Sequence, residues 1–316
     1  MAQHGARPFT PVFVGGTGRS GTTVLGGLIG QHHLIRSSMP REVKFITEPF
    51  GLLDICVVPE RGVSHLPSRA QRVMSRFPRF RRQLLAGAFT EKLRTRWWSR
   101  ENRKAKASGL HLTLNEDERD ELLSQFNEDL TAGAELAAGR NFFAGLVRAQ
   151  QDDAGEPFWV DTSPPNIRRA PEILELLPDA RFIWVVRDGR NTAASVLTER
   201  WGADDSEEAI HWWETRLRRC HEGAAGIGKD RLLRIQLEEL VGSRREETYE
   251  RLCEFLGVSD DANMRAFFTN RMNPSRVDPR AWRTRVPDAV AFEASYREAK
   301  QRLMGDGLDP FEVPGG

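Results

Sequence analysis

The sequence predicts an α/β fold, a parallel sheet covered by helices on both faces, and three observations carry that prediction. Val12 to Gly16 reads as a short buried strand; a Gly-rich turn follows, and then Thr23 to Gly30, where Val24, Leu25, Leu28 and Ile29 are apolar at helical spacing. The pattern recurs further on: Pro164 and Pro165 break the chain, Ile167 to Leu177 is helical, Phe182 to Val186 is a fully apolar strand, and another helix begins near Asn191. Arg231 to Ile235 supplies a third strand, followed by an amphipathic helix from Arg244 to Leu256 with Gly257 as its C-terminal cap. Strands alternating with helices, some of them apolar throughout, define a parallel sheet buried on both sides.

The stretch from about 52 to 155 differs, showing helical apolar spacing and no convincing strand, and is expected to be a helical insertion within a single domain spanning 1–316. Its charge separates. Ser68 to Lys106 holds thirteen Lys or Arg against two Glu, and Asn115 to Asp129 holds seven acidic residues against one Arg. Over the whole chain 46 cations face 45 anions, and forty of the 46 are Arg. A net charge of +1 excludes the broad basic footprint of a nucleic-acid or membrane-surface binder, so any basic chemistry is local. Cys56, Cys220 and Cys253 are too scattered for a disulfide framework or a metal cluster, no histidine or acidic set stands at metal-ligand spacing, and no apolar run is long enough to span a bilayer. These features predict a soluble cytoplasmic protein without a metal. His32 and His33, closing the first helix, are read as a cap or a surface pair.

Gly15 to Thr23, reading Gly-Gly-Thr-Gly-Arg-Ser-Gly-Thr-Thr, lies between the first strand and the first helix. A helix start offers unpaired N–H groups and the positive end of the dipole, and glycines let an anion approach that backbone. Against the nucleoside-triphosphatase pattern G-x-x-x-x-G-K-[ST] the frame fits except that Thr22 stands at the lysine position, while the cation is Arg19 inside the loop.

The run Gly18-Arg19-Ser20-Gly21-Thr22-Thr23 resembles the 5′-phosphosulfate loop of sulfotransferases that use 3′-phosphoadenosine 5′-phosphosulfate (PAPS), with Gly18 in place of a frequent proline. The resemblance implies a P-loop-like central sheet and PAPS as sulfuryl donor, with these six residues at its 5′ end. The family holds the 3′-phosphate with an Arg at a strand end and a Ser eight residues later, a spacing matched by Arg187 and Ser195. A guanidinium fork suits two phosphate oxygens, and a ligand at the C-terminal edge of a parallel sheet is the general rule. Ser275, Arg276, Trp282 and Arg283 resemble the segment that closes over the nucleotide, at about 270–290. Gln236 to Val241 echoes a family segment, with Leu237 where some relatives carry a cofactor-contacting tyrosine.

Pro40 to Ile46 resembles the element bearing the catalytic glutamate in glycosaminoglycan and tyrosylprotein sulfotransferases, which makes Glu42 the expected base and Lys44 a sulfonate contact. Catalysis of this kind needs a base for the acceptor proton and cations on the leaving phosphate, the latter supplied by Arg19. Where many relatives read Lys-Thr-Pro, Thr162 occupies the lysine position; either Arg19 and Lys44 suffice, a cation enters from the insertion, or activity is weak. Asp161 is a second candidate base. The resemblance implies transfer to a hydroxyl, less readily an amine, of a small-molecule, glycan or lipid acceptor. The alternatives are a P-loop kinase or nucleoside triphosphatase, which Thr22 disfavours, and an inert protein that binds the product PAP.

Overall fold

The fold is described from a computed structural model, covering residues 9–59, 76–101, 107–151, 155–274 and 278–311. Five parallel strands stand in the order β2-β5-β1-β6-β7, flanked by helices, as the alternation of strand and helix predicts. The chain divides into two compact units. One comprises 1–11, 35–163 and 171–180, the other 12–34, 164–170 and 181–316.

The second unit holds β1 (Thr10–Gly16, all but its start), β6 (Arg181–Val186) and β7 (Leu232–Gln236). In β6, flanked by β1 and β7, Phe182 to Val186 are all buried, hence its unbroken apolar run. The register pairs Gly16 with Val185 and Val186 with Gln236, so all three strands end at one edge. Helix α1 (Thr22–Ile29) follows β1. After β6 comes a helix (Gly189–Val196) that starts two residues before the predicted Asn191, because Asp188 caps it by accepting from the Arg190 backbone N–H at 2.9 Å.

The first unit contains β2 (Ile35–Ser37) beside β5 (Phe158–Asp161), paired from Ile35 with Phe158 to Ser37 with Val160. Its helices are α2 (Lys44–Thr47), α3 (Leu52–Cys56), α4 (Pro78–Arg94), α5 (Glu116–Thr131) and α6 (Glu135–Gln150). Phe45, Phe89, Trp97, Phe126 and Phe142 form one aromatic core, with ring centroids of Phe89 and Phe126 5.1 Å apart and of Phe89 and Phe142 5.3 Å apart, mostly edge to face. The stretch from 52 to 155 is thus continuous with the β2–β5 pair in one unit. The expectation of no strand there needs correction: β3 (Arg100–Glu101) and β4 (Ala107–Ser108) form a two-stranded hairpin, too short and too charged for an alternating pattern to announce it.

The remaining elements, all in the second unit except α7, are a 3₁₀ turn (Pro164–Arg169), α7 (Ala170–Leu176), α8 (Gly189–Val196, introduced above), α9 (Ser206–Ala224), α10 (Arg245–Leu256), α11 (Ala262–Arg271) and α12 (Ala289–Gly305). Gly257 ends α10 at φ 72°, in the left-handed region that favours glycine. Among the described residues no helix is long and apolar enough to cross a membrane.

Candidate active site

At the edge where β1 and β6 end, the chain turns through Gly18 at φ 89°, Arg19 at φ 58° and Gly21 at φ 101° before α1 begins. Left-handed residues close together in a turn are the backbone pattern of anion-binding nests in general, and Arg19 sits in the left-handed region at a steric cost. Closeness of backbone also demands glycine. A Cβ on Gly16 would stand 2.5 Å from the Val185 carbonyl oxygen and 2.6 Å from Ser20 Oγ. Gly16→Ala is therefore expected to cost about 1–3 kcal/mol or more by overpacking. Urea unfolding measures this; an unchanged midpoint would show that the loop has slack. On Gly21 a Cβ would meet Leu237 at 2.8 Å, so the leucine found where relatives carry a tyrosine buttresses the loop.

The Arg19 side chain reaches α8: its Nε donates to Ser195 Oγ at 2.9 Å, and its Nη1 lies 3.2 Å from Glu199 Oε1. Arg187, one residue beyond β6, donates from Nη1 to the Arg19 carbonyl oxygen at 3.1 Å. The predicted phosphate-loop residue and both members of the Arg-to-Ser pair are thus brought together. Two groups here are buried and have no partner among the described residues: Ser20 Oγ and Arg187 Nε. Burial lowers the pKa of both Arg19 and Arg187, and Arg285 lowers both further, so three cations converge on this spot. An arginine keeps its proton under such pressure, and the arrangement invites an anion.

Support comes from behind. Asp188, wholly buried, is closed by Arg190, which donates from Nε at 3.1 Å and from Nη2 at 2.7 Å. Glu238 accepts from the Asp188 backbone N–H at 3.0 Å, and burial raises its pKa. Asn191 anchors the C-terminal segment, donating to the Pro279 carbonyl at 2.8 Å and accepting from the Trp282 N–H at 3.1 Å. Trp282 is fully buried, its ring stacked 5.5 Å from Phe292, so it serves as the anchor of that segment. Arg283 is exposed, 5.2 Å from the Trp282 ring. Ser275 and Arg276 lie outside the described residues.

In the first unit Glu42 lies in the turn between β2 and α2, partly exposed. Thr162 holds that turn on one side: its N–H and its hydroxyl both donate to the Arg41 carbonyl oxygen, at 3.0 and 2.9 Å. Asp161 holds the other side, accepting from the Val43 N–H at 2.6 Å. It also accepts from the Ser163 N–H at 3.0 Å and the Ser163 hydroxyl at 3.2 Å. Asp161 is thus a committed acceptor that fixes the Glu42 turn to the end of β5. Lys44 lies 3.3 Å from Glu48, one turn along the chain. Glu48 also accepts from the Trp97 indole N–H at 3.1 Å.

Sequence spacing alone did not reveal Glu199, Glu238 or Arg285. The signal for Arg285 was present, since it continues the basic run of Arg280 and Arg283. The two glutamates matter through what they touch. Folding also brings Asp261 to His32 and His33, within 4.8 Å, where the sequence offered no third ligand. Both ring nitrogens of His32 are engaged by backbone, Nδ1 with the Leu34 N–H and Nε2 with the Ser259 carbonyl, each at 3.1 Å. That cluster is a clip between the end of α1 and the start of α11.

The model of the Sulfotransferase family matches residues 11–262, which include the loop, Arg187, Ser195 and Glu42. The chain belongs to the sulfotransferase family. It is 31% identical over 107 residues to a protein-tyrosine sulfotransferase of Drosophila melanogaster, a match covering 32% of this chain and 21% of that protein. It is 24% identical over 110 residues to protein-tyrosine sulfotransferase A of Caenorhabditis elegans, covering 33% of this chain and 29% of that protein. The matched stretch therefore spans less than a third of either relative. The sulfotransferase domain of the Synechococcus PCC 7002 olefin synthase has the same fold, with a TM-score of 0.51 at 18% identity over 99% of this chain and 98% of that one. The described residues form the central parallel sheet flanked by helices.

Proposed function

We propose that this sulfotransferase moves the sulfuryl group of PAPS to a hydroxyl of a small-molecule, glycan or lipid acceptor. The observation that carries the reading is the convergence of Arg19, Arg187 and Arg285 at a glycine-rich turn where Ser20 Oγ and Arg187 Nε are buried without partners among the described residues. Residues of this chemistry fit a nucleotide with phosphates at both ends. The loop from Gly18 to Thr23 would hold the 5′ phosphosulfate, and Arg187 with Ser195 the 3′-phosphate. Arg283, Arg285 and the segment bearing Ser275 and Arg276 would cover it. When bound, PAPS supplies an activated sulfuryl group with a phosphate leaving group.

The chain's own residues do the rest. Arg19 and the loop N–H groups stabilise negative charge that grows on the leaving phosphate, an electrostatic contribution that needs no reorganisation when donors are already fixed. Glu42 takes the acceptor's proton, and Lys44 neutralises the sulfonate. The turn bearing Glu42 is pinned by Thr162 and Asp161, which gives the residue at the family's lysine position a scaffolding role and leaves Glu42 the freer carboxylate. The magnesium-dependent kinase reading loses its metal ligand as well as its lysine, because Asp188 is sealed by Arg190. Three buried free cysteines fit a reducing cytoplasm.

The test is transfer itself. The protein is incubated with PAPS and a panel of phenols, tyrosine peptides, hydroxylated metabolites, glycans and glycolipids, and products are read by mass spectrometry for an added sulfonate. Sulfation that requires PAPS and no magnesium is expected. Phosphorylation of the panel from Mg-ATP would contradict the reading.

A further inference from the structure

Arginines in the second unit that lie at carboxylates are well matched: Arg190 with Asp188 at 2.7 Å, and Arg218 and Arg302 with Glu214 at 2.8 and 2.7 Å. Arg168, Arg216 and Arg219 have no carboxylate within ion-pair distance and no hydrogen bond among the described residues. They are gathered along one strip. Trp212, Arg216 and Arg219 fall at positions i, i+4 and i+7 of α9, one face of the helix. Gly223 continues that face, and a Cβ there would stand 2.1 Å from the Ile167 carbonyl oxygen and 2.8 Å from Arg168 Cα. The helix thus packs directly on the 3₁₀ turn that carries Arg168. At the other end of the strip the Trp212 ring reaches to 3.5 Å from where a Cβ of Gly18 would stand, beside the phosphate loop.

The chemistry of the strip is that of anion recognition. The Arg216 guanidinium stacks 4.3 Å over the Trp212 ring, a geometry that fixes the fork and leaves its edge free. Arg168 Nη1 is buried without a partner among the described residues. Arg219 is exposed, and Trp201, 54% exposed, lies 6.1 Å from Trp212, so solvent reaches the strip. The Cys220 thiol, an acid that acts on Arg168 and Arg216, is pushed up to about 12 by burial and so kept neutral. Burial, then the neighbouring Arg168 and Arg219, push Arg216 down to about 10. Uncompensated half-buried cations are costly to a fold, and an anion that joins them removes that cost.

We propose that Trp212, Arg216, Arg219 and Arg168 form a second oxyanion site, separate from the two positions assigned to PAPS. Its ligand is a sulfate, phosphate-monoester or carboxylate group, either a free ion or the charged group of an organic molecule. The inference goes beyond the PAPS reading and does not rest on it.

Thermal unfolding is followed in sodium sulfate and in sodium chloride at matched ionic strength, with PAP present to occupy the phosphate loop. Sulfate is expected to raise the midpoint of the wild type above chloride. Arg216→Gln and Arg168→Gln are each expected to weaken the apparent sulfate affinity about tenfold or more, as loss of a charge-assisted hydrogen bond does. In chloride alone, Arg168→Gln should unfold no earlier than the wild type, since an unpaired buried cation has gone; a core ion-pair partner would show the opposite. If Arg168→Gln does not fold, Arg216→Gln, on a partly exposed helix face, carries the comparison. Parallel titrations with 4-hydroxybenzoate and phenol identify the source: benzoate that displaces sulfate, with phenol inactive, marks an organic anion, and sulfate alone marks the free ion. No sulfate effect beyond chloride, or equal sulfate responses in wild type and Arg216→Gln, would overturn the proposal. Failure of PAP to bind would count against the PAPS reading alone, because the difference between wild type and Arg216→Gln remains readable.

Discussion

Glu42→Gln is expected to lower turnover by about 10²- to 10⁴-fold, the range for loss of a general base, while leaving PAP affinity unchanged. The substitution keeps the shape of the side chain and removes its ability to take a proton. Asp161→Asn is the informative companion. Asp161 accepts three hydrogen bonds that fix the Arg41–Val43 turn and the chain beyond β5, so its loss should show first as lower thermal stability. A kcat loss in Glu42→Gln with an unchanged unfolding midpoint, against a midpoint loss in Asp161→Asn, separates the base from its scaffold. Undiminished kcat in Glu42→Gln would remove Glu42 from the mechanism.

Arg187→Met is expected to lower PAP affinity about 10²-fold, because a guanidinium paired with phosphate contributes charge-assisted, bidentate hydrogen bonds. Arg187→Lys should recover part of this, as a point charge without the fork. Stability should barely change. Arg187 gives up one hydrogen bond to the Arg19 carbonyl and the attraction of Glu238 and Asp188, while its removal relieves the cost of burial and repulsion from Arg285 and Arg19. Calorimetric titration and thermal unfolding on the same preparations decide it; a large stability loss with unchanged PAP affinity would make Arg187 a structural residue.

The sheet was legible because burial on both faces leaves a trace in sequence: the unbroken apolar run of β6 and the Val12–Gly16 run before the glycines. The tight turn between β1 and α1 was legible because positive φ favours glycine and a helix starts behind it. The hairpin at Arg100–Glu101 and Ala107–Ser108 was not, since two residues per strand carry no period. Glu199, Glu238 and Arg285 were hidden for another reason. Each acts through a contact made across the second unit, 180 residues along the chain in the Arg19–Glu199 pair (199 less 19), and local spacing holds no record of that. The role of Thr162 was also out of reach: the sequence marked a missing lysine, and the fold shows a hydroxyl gripping the Arg41 carbonyl.

The loop and Arg187 are proposed to form a site for a nucleotide carrying phosphate at both its 5′ and 3′ ends. Isothermal titration of the wild type with PAP and with adenosine 5′-phosphate, in the absence of magnesium, tests it most directly. Saturable PAP binding is expected, with adenosine 5′-phosphate weaker by about 10²-fold and that gap closed by Arg187→Met. Equal affinity for the two nucleotides, or tight Mg-ATP binding that PAP does not displace, would contradict it.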